Sequence, residues 1–235
     1  MLHHTRAIVL HYLRYRDTSI IARCYTEAFG AQSYLVNSVR TAKGGSKIAY
    51  YQPLTLLDMV VYHKPTTDLQ HVSQVQFHDA SLMPSPDMHK SSIRMFLAEV
   101  FSRVLSEPEP STDKFAFLFT SMQAFEHAEQ HLENFHIQCL LGLAKRLGFG
   151  SADASALFDQ LHTTTSRFAN PSAGLANETE LTALQALMSQ PYFTHVPMPS
   201  ITRRFLLDTV VQYYRKHIDG LPEPKSLAIL HTLFA

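Results

Sequence analysis

The sequence predicts an α+β protein in which five short strands over residues 1–80 form a small barrel, and helices alone follow over residues 81–235. Three observations carry this prediction. Segments rich in β-branched and aromatic residues alternate with polar turns about 8–12 residues apart in the first part of the chain. Pro84-Ser85-Pro86 then interrupts the chain, and beyond it the apolar period changes from two to about three and a half. Finally, 235 residues with 46% hydrophobic and 17% charged side chains can bury a core without disulfides or structural metals, which excludes disorder as the main description.

The strands are expected at Ala7–Tyr12, Ser19–Tyr25, Gln32–Val39, Leu54–His63 and Leu69–Phe77. Gly30 separates the second from the third, and the basic stretch 41–47 reads as a polar loop. Five short strands suit a closed or partly closed barrel, which removes exposed edges. Ile93, Phe96, Leu97, Val100, Phe101, Val104 and Leu105 then make one apolar helical stripe that Pro108 and Pro110 end. Further helices are expected over 112–129, from Phe135 to a stop at Gly148, over 152–162, 178–188 and 202–217, and in a last short turn over 224–234. The stretch 150–177, with Thr163-Thr164-Thr165, Asn170-Pro171 and Gly174, reads as a loop-rich insertion.

Several function classes lack support. No apolar run approaches the roughly 18 residues of a membrane span, and no signal-peptide pattern opens the chain, so the expected compartment is the cytoplasm. Cys24 and Cys139 stand far apart and are expected to be buried small hydrophobes. Gly44-Gly45-Ser46-Lys47 lacks the spacing of a phosphate loop, no G-x-G-x-x-G follows a strand, and no G-x-S-x-G elbow is present. His127 and His131 stand four apart beside Glu126 and Glu129 on an expected helix. The order is H-x-E-x-H and no third ligand is placed by spacing, so a solvated polar face and no metal are expected. Nothing here specifies an enzyme.

Charge is more informative. Residues 1–50 hold seven basic side chains (Arg6, Arg14, Arg16, Arg23, Arg40, Lys43, Lys47) against two acids, whereas the rest of the chain holds 13 basic and 18 acidic. Such a split suggests that one end meets a polyanion. The cations lie among Tyr12, Tyr15, Tyr25, Tyr34, Tyr50 and Tyr51. A small barrel that binds single strands needs cations along the phosphate track and aromatic faces on which bases stack.

A family resemblance rests on residues along nearly the whole chain. Ile8-Val9-Leu10, the run from Tyr15 to Ile21, Tyr25-Thr26, Gly30, Leu35-Val36, Arg40 and Gln52-Pro53-Leu54 carry it in the first half. Phe135 through Leu140-Leu141 to Leu147-Gly148-Phe149, and Lys225-Ser226-Leu227, carry it in the second. In order and spacing these resemble the RecO family of bacterial recombination mediators. The resemblance implies a five-stranded OB-fold followed by an all-α helical domain, with domains at 1–80 and 81–235. It implies binding of single- and double-stranded DNA, annealing of complementary strands and, with RecR, loading of RecA onto DNA coated by the single-strand-binding protein SSB. By position, Arg14, Arg16, Arg40, Lys43 and Lys47 would contact the DNA backbone. The helical domain would dock the acidic, phenylalanine-ended SSB tail, with Arg203, Arg204, Lys216 and Lys225 as candidate cations. Some family members carry a four-cysteine zinc site in that domain; with Cys139 alone there, no zinc and no other cofactor is expected. The competing expectation is a protein adaptor that binds SSB or RecR without touching DNA.

Overall fold

The structure is a computed structural model that describes residues 1–39, 45–165 and 176–234. Its first part is a closed barrel of β1 (Leu2–Tyr15), β2 (Ser19–Thr26), β3 (Gly30–Val36), β4 (Leu56–Tyr62) and β5 (Leu69–Phe77), in the order β1-β2-β3-β5-β4. All pairings are antiparallel except β3 with β5, which is parallel. Five strands followed by helices is the expected architecture.

Alternation explains the barrel's interior. Ala7, Val9, Ile20, Ala22, Cys24, Tyr34, Leu57, Met59 and Val61 point inward and are buried. Ile8 and Leu10 have the opposite parity, yet they too are buried, because α1 (Met88–Val104) packs on β1. Continuous burial over residues 7–10 therefore marks a strand covered on both faces. A bulge between Val9 and His11 reverses the parity of the rest of β1, so that Tyr12 turns inward and Leu13 outward.

The loop expected over 41–47 is in part a 3-10 helix, Gly45–Tyr51. Tyr51 from this turn enters the barrel core and Tyr50 packs on Phe77 with ring centroids 4.4 Å apart. Two aromatic anchors pull the segment out of solvent and make it regular.

By contact the chain divides into Met1–His127 and Ala128–Ala235. The change of period near residue 80 is thus a change of secondary structure, while α1 and α2 (Thr112–His127) group with the barrel. Asp87 caps α1 by accepting from Lys90 N at 2.8 Å. Arg94 on α1 and Glu126 on α2 form an ion pair at 2.8 Å, with both side chains 6% exposed. Arg94 also donates to Ser85 O and to Ser91 Oγ, and Lys90 Nζ donates to Glu126 O at 2.7 Å. Gly30, at φ +61°, lies directly against the backbone of Glu107 and Glu109 in the α1–α2 connection, and Ala31 N donates to Glu107 O at 3.0 Å.

The second unit is helical. It comprises α3 (Phe135–Arg146), α4 (Ala154–Thr165), α5 (Glu178–Ser189), α6 (Ser200–His217) and α7 (Leu227–Leu233). The helix at α4 occupies the first half of the stretch read as loop-rich, and residues 166–175 of that stretch lie outside the described residues. Asn177 and Glu180 form a capping box that starts α5. Gly148, at φ +88°, follows α3 as expected of a helix stop. Tyr214 on α6 donates to Leu140 O at 2.7 Å, which satisfies a buried hydroxyl inside the α3–α6 contact.

Candidate functional site

The β1–β2 hairpin carries two of the expected DNA contacts. Tyr15 pairs with Ser19, and Arg16-Asp17-Thr18 makes the turn, with Arg16 in the left-handed region at φ 52°. The Arg16 guanidinium lies 5.2 Å from the Tyr15 ring centroid, a cation–π contact that leaves the residue exposed. Arg14 shares the inward parity of Tyr12, Ala22 and Ile20 but stands beyond the last buried layer and is exposed.

The start of the basic loop is fastened to this hairpin. Val39 N donates to Thr18 O at 2.9 Å, and Ser19 Oγ donates to Asn37 Oδ1 at 3.1 Å. Arg40 and Lys43 follow directly and lie outside the described residues. Lys47 is exposed on the 3-10 turn that Tyr50 and Tyr51 anchor. That turn contacts β1 and β5.

Two other cations of the basic segment are already committed. Arg6 donates to both carboxylate oxygens of Glu27, at 2.6 and 2.9 Å. It lines a cleft on the outer face of β1, β4 and β5 that also holds Asp58, whose carboxylate lies 3.0 Å from His78 Nδ1. Two carboxylates make this cleft a poor host for a polyanion. Arg23 donates to Ser33 Oγ at 3.2 Å and to Ser106 O at 3.0 Å.

Burial sorts the tyrosines. Tyr25, Tyr34 and Tyr51 are core residues, so they are unable to present a face to a base; burial pushes the Tyr25 phenol up to about 12 and those of Tyr34 and Tyr51 higher still. Burial likewise pushes the Cys24 and Cys139 thiols up to about 12, which agrees with their reading as inert hydrophobes.

Sequence reasoning missed an outward-facing row. Leu13, Ile21, Leu35, His71 and Tyr62 stand side by side across β1, β2, β3, β5 and β4. Leu13 is 61% and Tyr62 47% exposed. The bulge in β1 hides this row from a simple alternation count, because it moves Leu13 to the face opposite the one that Val9 would suggest.

In the helical unit, Arg203 and Arg204 border a cleft with His136, Leu207, Leu230 and Phe234. Arg203 Nε donates to Asn134 Oδ1 at 3.0 Å, and Arg204 Nη2 donates to His231 O at 2.8 Å. Lys216 lies about 20 Å further along α6 at the usual helical rise and donates to Gln160 O. Lys225 precedes α7 and is not among the cleft's lining residues. The structure thus brings together two of the four candidate cations.

His136 lies at the base of this cleft. Burial, with Arg203 and His231 nearby, pushes its pKa down to about 3. The folded state therefore refuses a proton that the unfolded chain takes up near pH 6.5. Stability is expected to be full above about pH 6.5 and to fall as the pH drops toward 3, with a slope approaching about 1.4 kcal/mol per pH unit from this group. Urea titrations between pH 7 and 4.5 on the wild type and His136→Gln check this; parallel stability profiles would refute it.

His127 and His131 do not share a helix face. Helix α2 ends at His127, and His131 adopts the left-handed conformation, φ 56°, outside any α-helix.

Comparison with known proteins gives the family. A model described as recombination protein O N terminal matches residues 1–80, and one described as recombination protein O C terminal matches residues 85–227. Among curated relatives, the DNA repair protein RecO of Flavobacterium johnsoniae is 32% identical, with 98% of each chain covered. That of Bacteroides fragilis is 33% identical over the full length of both, and that of Porphyromonas gingivalis 31% over 98% of both.

Proposed function

From the premise that this chain belongs to the RecO family of DNA repair proteins, we propose that it binds single- and double-stranded DNA without sequence preference. We further propose that it anneals complementary strands and, with RecR, helps load RecA onto SSB-coated DNA. The observation that carries the reading is the end of the barrel where Arg14 and Arg16 stand exposed on a hairpin to which the start of the basic loop is hydrogen-bonded. Arg40, Lys43 and Lys47 extend that cationic run along the chain. Cations on one surface neutralise phosphates of two strands at once and reduce their mutual repulsion while bases find partners. The row from Leu13 to Tyr62 offers apolar surface alongside for unstacked bases. This activity needs no catalytic group, and the protein acts as a binder in the cytoplasm; no described helix is long and apolar enough to cross a membrane.

The Arg203–Arg204 cleft supports a second binding role within the same reading. Two guanidinium groups beside Leu207, Leu230 and Phe234 suit a peptide that ends in an aromatic residue and a carboxylate, as the acidic SSB tail does. The same cleft favours the alternative of an adaptor that binds SSB or RecR alone.

Anisotropy of a labelled single strand, titrated at several salt concentrations, separates the two. Arg40→Glu with Lys43→Glu is expected to weaken binding at least about tenfold at low salt and to lower the slope of log affinity on log salt by about 1.4. Adding the unlabelled complement then scores annealing. Folded protein that ignores naked DNA at low salt but binds the SSB tail, in a manner lost on Arg203→Glu, would replace the mediator reading with the adaptor.

A further inference from the structure

The helical unit brings His195 together with His131 and Glu133, metal-ligating side chains that stand far from it in the sequence. The ligand atoms of His131, Glu133 and His195 all lie within 4.8 Å of one another. His131 Nδ1 stands 3.8 Å from Glu133 Oε1, and the His131 and His195 rings are 5.2 Å apart at 47°. We propose that these three residues bind one divalent transition metal ion of the zinc type, with a coordination position left open to solvent or to a partner's ligand. The inference is independent of the DNA-binding reading.

The chemistry of the donors fits. Two imidazoles and one carboxylate form a donor set that zinc takes with three protein ligands and an open fourth position, at about 2.0–2.2 Å from each donor. Around such an ion neighbouring donors stand a little over 3 Å apart, so side-chain rotations moving donor atoms by about 1 Å close the site. His131 meets Glu133 in an ion pair at 3.8 Å and His195 in a ring contact, so its imidazole stands between the other two donors. The carboxylate supplies the one negative charge that offsets part of the ion's two; Arg203, which donates to Asn134, also lies within electrostatic reach of it.

The backbone prepares the site. His131 itself is left-handed at φ 56°, ψ 40°, and Phe193, two residues before His195, is left-handed at φ 62°. Both are non-glycine residues in a sparsely populated conformation, of the kind that clusters at binding sites. Packing at the start of α3 holds the two segments together. The Phe135 ring stacks on Phe193 at 5.4 Å and meets Tyr192 edge-on at 5.0 Å. The ligands therefore rest on a preassembled frame, which lowers the ordering cost of binding an ion. Spacing alone pairs His131 with His127, whereas the fold pairs it with Glu133 and His195.

The test uses the full chain, stripped with chelator and titrated with Zn²⁺ by calorimetry near neutral pH, with Co²⁺ absorption to report coordination. One equivalent is expected to bind, and Co²⁺ is expected to give visible bands of four-coordinate intensity. His195→Ala and Glu133→Gln should each weaken binding at least about tenfold, while His127→Ala leaves it unchanged. Glu133→Gln keeps the shape of the side chain, and circular dichroism checks that both variants fold. Absence of saturable binding near one equivalent would overturn the proposal. So would binding that survives both substitutions, which would reveal adventitious capture by other histidines.

Discussion

Replacing Arg94 by leucine is expected to destabilise the protein by about 3–5 kcal/mol. The guanidinium is 6% exposed, pairs with the equally buried Glu126 at 2.8 Å and donates to the connection ahead of α1 at Ser85. Removing it leaves the Glu126 carboxylate in a low-dielectric site with its charge uncompensated. Desolvation, which the pair had shared, then falls on one group alone. Lys90 offers no replacement, since its ammonium is bound to the Glu126 carbonyl. The double variant Arg94→Leu with Glu126→Leu removes both charges and is expected to recover most of the loss, because an apolar pair of similar volume avoids the desolvation cost. Urea denaturation of the wild type, both singles and the double gives the coupling energy directly. A single variant within 1 kcal/mol of the wild type would show the pair to be solvated.

Gly30→Ala is expected to cost about 2–4 kcal/mol, from two sources that add. At φ +61° any L side chain is strained, and a Cβ built there meets Glu109 O at 2.4 Å and Glu107 O at 2.9 Å. Both obstacles are backbone, so neither yields as the end of a flexible side chain would. Gly148 supplies the comparison. It has φ +88°, but a Cβ there meets nothing within 4 Å, so Gly148→Ala carries the conformational term alone, about 1–2 kcal/mol. Equal midpoint shifts for the two variants would mean that the α1–α2 connection moves aside freely.

The strands and helices were legible where one physical rule dominates. The stripe from Ile93 to Leu105 has one solution, a helix buried on one side, and α1 is that helix. Gly148 stopped α3 for the conformational reason that glycine usually does. The loop expected over 41–47 gives way to a 3-10 helix from Gly45 onward, because Gly45 and Lys47 speak for a loop while the decision lies with Tyr50 and Tyr51 finding places on and in the barrel. Similarly, the barrel's outward row depends on a bulge, and a bulge changes parity without changing composition. Of the cations, the sequence identified the basic end, but only packing reveals that Arg6 and Arg23 are already bonded within the protein. Tertiary proximity is also what joins His195 to His131 and Arg203 to Phe234, and no local pattern encodes it.

The parallel pairing of β3 with β5 has a consequence for how the chain is made. The β1–β2–β3 meander closes through short turns and is able to form as soon as it leaves the ribosome. The free edges of β1 and β3, however, stay open until β4 and β5 have been synthesised, since only these strands cover them. During that interval the nascent chain exposes unpaired strand edges and the apolar inner face of a half-built barrel, the features that invite aggregation. Closure requires the connection through Tyr51 to be laid down first, so the most vulnerable stage of this protein's life is set by its own synthesis rate rather than by its final stability.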